Sequence, residues 1–278
     1  MPDFELPESK HLALDSSGAI LTVTLDRPAV RNAMSFAMVE DLIAVFDALE
    51  DTHEVRIVVI RGAGGNFCAG GDIRDMAQVR TLPTPDPIGG PDDPMVVGNR
   101  KFGTMLSVIE SAPQAVVAVV EGAVMGGGFG LACVADVTLA HADATFRLPE
   151  TSLGIPPAQI APFIVRRIGL TQARRLAVTG GRLDGHGAKA IGIVHEVYPD
   201  NDALELGLAA TLADIRRCGP EAVAITKDLV ISSLSENIEV LLDRGAREFA
   251  VAIRGPEGQE GTMAFLEKRA PNWARDDA

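Results

Sequence analysis

Aromatic side chains are scarce, with one Trp, one Tyr and 4% aromatics in all across 278 residues. Any core must therefore be packed from Ala, Val, Ile and Leu, and a 47% hydrophobic content supplies enough of them. Cysteine is sparse too. Cys68, Cys133 and Cys218 are odd in number and far apart, which points to neither a disulfide framework nor a cysteine metal site. Free thiols fit a reducing cytoplasm. His141, His186 and His195 lack metal-ligand spacing, so no metal is expected. Positive charge is short as well: 25 Lys and Arg face 38 Asp and Glu, a net of -13. Double-stranded nucleic acid is a poor partner for that balance, although an acidic ligand in a local pocket is compatible with it. No apolar run reaches membrane-spanning length. The start, MPDFELPESK, has no basic segment leading into an apolar one, so no export signal is expected. The length suits one large domain, or a core with a small appendage.

What is present alternates. His11 to Asp15 and Ala19 to Pro28 predict a hairpin about a Ser-Ser-Gly turn. Ser35 predicts a helix N-cap, followed by Met38, Leu42, Val45, Phe46 and Leu49 at helical spacing. Val55–Gly62 and Ala115–Gly122 have almost no polar face and predict strands buried on both sides. The proline-rich stretch 81–94 predicts an irregular surface loop, with a helix from Phe102 to Glu110 after it. Helices are expected over Ala158–Ile168 and Thr171–Thr179. From Asp200 onward the pattern is helical throughout. Residues 1–199 thus predict an α/β core, and 200–278 a helical C-terminal region.

Glycine is abundant, and it clusters twice after a buried strand: NFCAGGDI after Arg61, and GAVMGGGFG after Val120. Each cluster runs into a helix start. Helix N-termini present unpaired N–H groups and partial positive charge. Two such groups aimed at one oxygen would make an oxyanion hole. Close packing or tight turns would also account for the glycines. A dinucleotide fingerprint would not: Gly128 and Gly130 have the first spacing, but Cys133 stands where the third glycine belongs.

In one order along the chain lie RPAVRNAMS, NFCAGGDI, EGAVMGGGFGLACVADV, FRLPETSLGIPP and GGRLDGHGAKAIGIVHEV, ending in EGTMAFLEKRAPNW. Together they resemble the crotonase superfamily of enoyl-CoA hydratases and isomerases. The resemblance implies an α/β crotonase (ClpP-like) spiral of ββα units with a C-terminal helical trimerisation region. It implies a homotrimer or dimer of trimers, acting on an acyl-CoA thioester with no separate cofactor, since CoA is part of the substrate. By register, the amides of Gly71 and Gly127 match the two oxyanion donors, and Glu150 matches the acid/base beside the α- and β-carbons. Burial of such a carboxylate should raise its pKa. The second glutamate of the straight-chain hydratases falls on Gly130 here, so Glu150 must do two jobs or another group helps. A single glutamate also resembles the Δ3,Δ2-enoyl-CoA isomerases. Thioester hydrolysis, dehalogenation and decarboxylation run on the same scaffold, and a noncatalytic CoA-binding scaffold is a further alternative.

The wording around GGGFGL and PPAQIAPFIVRRIG is similar to bacterial hydratases of branched glutaconyl-CoA esters, the isohexenylglutaconyl-CoA and methylglutaconyl-CoA types. Such a substrate would want a cation or donors for its distal carboxylate. Arg31, Arg147, Arg166 and Gln159 are candidates in type. Phe102, Met105 and Ile109 either line the branch or face the core. For CoA, the register selects Arg27 and the stretch Arg31 to Ala33, an edge of Ala69, Gly71, Asp72 and Ile73, and Phe265 with Lys268 from another subunit.

Overall fold

The expected hairpin forms as antiparallel strands β1 (Leu12–Ser17) and β2 (Ile20–Leu25), with Gly18 in the turn at φ 57°. The structure, a computed structural model, describes residues 6–83 and 86–274. Ser35 caps helix α1 (Phe36–Leu49), its hydroxyl accepting the Met38 N–H, and the five residues spaced at the helical period are buried. Parallel to β2 run β3 (Ile57–Gly62), β4 (Ala115–Val120), β6 (Val137–His141) and β9 (Glu196–Tyr198), giving a six-stranded sheet in the order β1-β2-β3-β4-β6-β9.

The unbroken apolar runs of β3 and β4 follow from two covered faces. Val58, Ile60, Val116, Ala118 and Val120 join the main core with α1 and α3 (Pro94–Ser111). Ile57, Val59, Val117 and Val119 point the other way, onto Leu204 and Leu208 of α7 (Asn201–Arg216). The first helix of the C-terminal stretch thus serves as a layer over the sheet.

A second, three-stranded sheet positions the site. It consists of β5 (Ala123–Met125), β7 (Thr145–Arg147) and β8 (Arg182–Leu183). Single bridges Met34–Gly71 and Cys68–Val124 extend it to the first glycine crossing. The run expected as one strand to Gly122 is divided: β4 stops at Val120, and Gly122, at φ 52°, turns the chain from the large sheet into β5.

Two other helix boundaries depart from expectation. Helix α3 starts at Pro94 rather than Phe102, because Asp93 caps it by accepting the Met95 N–H and Pro94 sits in its first turn. Val96 and Val97 in that first stretch are exposed, so periodicity gave no sign of it. The two helices expected after Ala158 form one run, α5 (Ala161–Thr179), interrupted by Gly169 at φ 72°. Of the proline-rich loop, residues 84 and 85 lie outside the described residues.

The chain continues through α6 (Gly185–Ala190), α8 (Pro220–Ser232), α9 (Ile238–Ala252) and α10 (Pro256–Glu267). Lys227 of α8 is buried and donates to the Gln114 carbonyl and to Asp136 Oδ2 at 2.8 Å. Asp136 also accepts the Val116 N–H, so this pair fastens the C-terminal helices to the start of β4. No helix among the described residues is long and apolar enough to cross a membrane.

Candidate active site

The first glycine crossing is stitched on both sides. Ala69 donates its N–H to the Arg31 carbonyl, while Cys68 donates to Ala123 and accepts from Met125. Met34 and Asp72 close the bridge around Gly71, Met34 N–H to the Gly70 carbonyl and Asp72 N–H to the Met34 carbonyl, each at 2.8 Å. Asp72 then caps α2 (Ile73–Val79) and pairs with Arg27 at 2.9 Å. Arg27 also donates to the Ala33 carbonyl. These two residues, expected along the CoA path, thus brace the turn 27–33 against the crossing.

The turn itself needs Asn32, which sequence reasoning did not single out. Asn32 is wholly buried at φ 56°; its side chain accepts the Arg27 N–H and donates to the carbonyls of Ala63 and Asn66. A left-handed, non-glycine residue is most often Asn or Asp, and that preference was the available signal.

The second crossing leaves β5 at Met125, passes Gly126 and enters α4 (Gly127–Val134). Gly126 has φ 49° and ψ -114°, a conformation open only to glycine, and a Cβ there would lie 2.6 Å from Glu150 Oε1. At Gly127 a Cβ would strike the Phe102 ring at 2.6 Å and the Met34 methyl at 2.9 Å. Close approach is what this glycine is for. Among the described residues, neither the Gly71 nor the Gly127 N–H has a protein acceptor. Gly127 is the first residue of α4, so its N–H also carries the positive end of the helix dipole.

Glu150 follows β7 and begins a short 3-10 turn, Glu150–Leu153. Its half-buried carboxylate has one oxygen, Oε2, buried without a hydrogen-bond partner. Burial raises its pKa above the ordinary 4.5, opposed by a bond from its own main-chain N–H. An edge-to-face contact between Phe129 of α4 and Phe146 of β7, centroids 6.0 Å apart, couples the element carrying Gly127 to the strand leading to Glu150.

Gly71, Gly127 and Glu150 line one cavity of about 110 Å³. Its walls are mostly apolar, including Met34, Phe36, Val39, Met76, Phe102 and Ile155. Asp72 lines it too. Phe102 thus faces the site, whereas Met105 and Ile109 are fully buried in the core. Two unhydrogen-bonded amides beside a desolvated carboxylate can stabilise an enolate oxygen and move a proton on the adjacent carbons.

The remaining candidates are dispersed. Gln159 lines the cavity and donates to Asn99 Oδ1 at 3.1 Å. Arg166 pairs with Glu110 at 2.8 Å and lies over the Phe163 ring, away from the site. Arg31 and Arg147 line a second concavity together with Arg182. Those guanidiniums have no carboxylate partner among the described residues; Arg147 reaches only the Gly180 carbonyl and Arg182 only the Thr145 hydroxyl, each at 3.4 Å. Ala69 is half-buried at the crossing and Ile73 is exposed at the start of α2. Phe265 is 83% exposed on α10, Lys268 caps that helix at φ 55°, and neither lines the cavity. Cys68 is buried, and burial pushes its thiol up to about 12, so it packs and does not attack. No group of three or more potential ligands could hold a metal among the described residues.

The enoyl-CoA hydratase/isomerase family model matches residues 15–276. The chain belongs to the enoyl-CoA hydratase/isomerase family. Among solved structures it is similar to Pseudomonas aeruginosa AtuE, at 55% identity and a TM-score of 0.91, covering 96% of this chain and 100% of that one. It is also similar to an enoyl-CoA hydratase/isomerase from Marinobacter aquaeolei, at 50% identity and 0.93, with coverage of 96% and 100%. The enoyl-CoA hydratase ACTT6 of Alternaria alternata is 30% identical over 91% of this chain and 80% of that protein. The crotonase fold is therefore established, and this family member is an enzyme of the hydratase/isomerase type.

In this hydratase/isomerase, the position of the second glutamate is occupied by packing. A Cβ at Gly130 would lie 2.5 Å from Ile160 Cγ2 and 3.4 Å from Leu106 Cδ1. Ile160 is buried at the end of the segment carrying Pro156, Pro157 and Gln159. Glu150 thus faces the substrate space without a carboxylate from position 130.

Proposed function

We propose that this enzyme adds water across the 2,3 double bond of a branched glutaconyl-CoA thioester, isohexenylglutaconyl-CoA ahead of methylglutaconyl-CoA. The observation carrying the reading is the convergence of the Gly71 and Gly127 amides with Glu150 in one mostly apolar cavity. The thioester oxygen accepts both N–H groups. Glu150 takes a proton from water as the oxygen–C3 bond forms, and the π electrons move onto the thioester oxygen. Protonated Glu150 then returns the proton to C2, on the same face. The amides act on the enolate, where charge is greatest, and so lower the barrier more than they tighten substrate binding.

The branched acyl group is supported by the residue wording around GGGFGL and PPAQIAP and by the apolar lining. CoA would run past Arg27, Ala33, Ala69, Asp72 and Ile73, with Arg31, Arg147 and Arg182 supplying positive charge for its phosphates. Exposed apolar residues on α9 and α10, among them Leu242, Phe249, Phe265 and Leu266, support association with further copies, for which a trimer or dimer of trimers is the arrangement proposed. Phe265 and Lys268 would then reach the CoA of a neighbouring copy.

A second reading, Δ3,Δ2-enoyl-CoA isomerase, is favoured by Ile160 closing position 130, since one carboxylate suffices for a proton shuttle. Mass spectrometry on crotonyl-, methylglutaconyl-, isohexenylglutaconyl- and a 3-enoyl-CoA separates the readings. Addition of one water to the glutaconyl esters alone supports the first. Conversion of only the 3-enoyl ester, without mass change, replaces it by the second.

A further inference from the structure

Among the described residues, five polar side chains line the cavity: Asp72, Asp75, Asn99, Glu150 and Gln159. Two are engaged elsewhere. Asp72 pairs with Arg27 and caps α2, and Asp75 accepts the Phe36 N–H at 2.9 Å. What remains for chemistry is Glu150, with its partnerless Oε2, and the amide pair Asn99–Gln159.

The amide of Gln159 is built into its place. It lies against α3 where Gly103 has no side chain; a Cβ there would sit 2.1 Å from Gln159 Oε1. Pro156 and Pro157 restrict the backbone that delivers it, and Ile160 anchors the far end in the core. One of its N–H groups is directed to Asn99 Oδ1, which leaves the second to donate.

We propose that Gln159, braced by Asn99, holds the water that attacks C3, taking over the task a carboxylate at position 130 would perform. The inference rests on the hydratase reading. One lone pair of the water accepts the Gln159 N–H, and the other is directed at C3. One hydrogen goes to Glu150. Water adds as hydroxyl at C3 and hydrogen at C2, and nothing else is consumed. The cavity, about 110 Å³ of space open to the centre of a water, exceeds the roughly 10–15 Å³ one water requires on that measure.

The test compares two reactions of the same protein samples. Hydration, measured on whichever enoyl-CoA the wild-type enzyme hydrates fastest, needs the held water. Deuterium exchange at C2 of butyryl-CoA needs Glu150 and the two amides, but no nucleophile. Gln159→Leu should lower kcat for hydration by about a hundredfold, the scale of a misplaced reactant, while leaving C2 exchange within about twofold. Asn99→Leu should act in the same direction more weakly, and Asn99→Asp, which still accepts the Gln159 N–H, should restore hydration. The proposal is overturned if Gln159→Leu leaves hydration intact, or if both reactions fall together. A rise in KM with kcat unchanged also overturns it, and assigns the amide to acyl-chain binding. Absence of hydration in the wild-type enzyme on every ester tested removes the hydratase reading itself.

Discussion

Ile160 occupies the space a side chain at Gly130 would need, its Cγ2 lying 2.5 Å from the position of a Cβ there. The missing second carboxylate is therefore more than a substitution at one position. The segment 155–160 has closed over it, and a glutamate could not simply be restored.

Replacing Gly130 by Ala should destabilise the fold by about 1–3 kcal/mol, the usual scale of overpacking. Combined with Ile160→Ala, the cost should be less than the sum of the two single changes, because each relieves the other's misfit. Chemical denaturation of the four proteins of the cycle measures this. Additive costs would show that the two positions do not share space.

Glu150→Gln should abolish turnover by about a hundredfold or more while the protein stays folded, since general acid–base catalysis contributes on that scale. The wild-type pH profile should show its acid limb above the ordinary 4.5, because burial raises the carboxyl pKa and the base form is needed for hydration. For stability the sign is opposite to that of a salt-bridged acid. The folded state holds the proton more tightly than the unfolded chain. Its contribution is therefore full below the ordinary glutamate range and is lost as pH rises through the raised value. Glu150→Gln should flatten that decline in a series of melts across pH.

The ion pair between Arg27 and Asp72 braces the turn 27–33 against the first glycine crossing. Arg27→Met leaves Asp72 with only the Arg74 N–H and should cost about 1–3 kcal/mol, the range for removing one partner of a buried polar group. Asp72→Asn keeps an N-cap for α2 and should cost less. Thermal melts rank the two, and equal losses would refute the distinction.

Arg31→Ala should raise KM for CoA esters about tenfold, with a shallower dependence on salt, while a pantetheine thioester lacking the phosphates should be unaffected. Arg147→Ala and Arg182→Ala should act in the same direction if the concavity they share with Arg31 takes phosphate. Equal effects on both kinds of thioester would remove the phosphate assignment.

Much of this molecule was legible from periodicity and local chemistry. Ser35 and the spacing from Met38 to Leu49 located α1, and the unbroken apolar runs of β3 and β4 foretold strands covered on both faces. The ordered motifs pointed to the family, whose model matches residues 15–276, and singled out Gly71, Gly127 and Glu150, which the fold brings to one cavity. Helix α3 escaped at its start, where exposed Val96 and Val97 carry no burial pattern. Ile160 and the seat of Gln159 were invisible for another reason: each acts through residues distant in sequence. A chain by itself specifies local backbone preference and which faces seek burial, and both are properties of neighbours along it. Whether Gly130 faces water, a carboxylate or Ile160 is settled only when two segments thirty positions apart compete for the same volume.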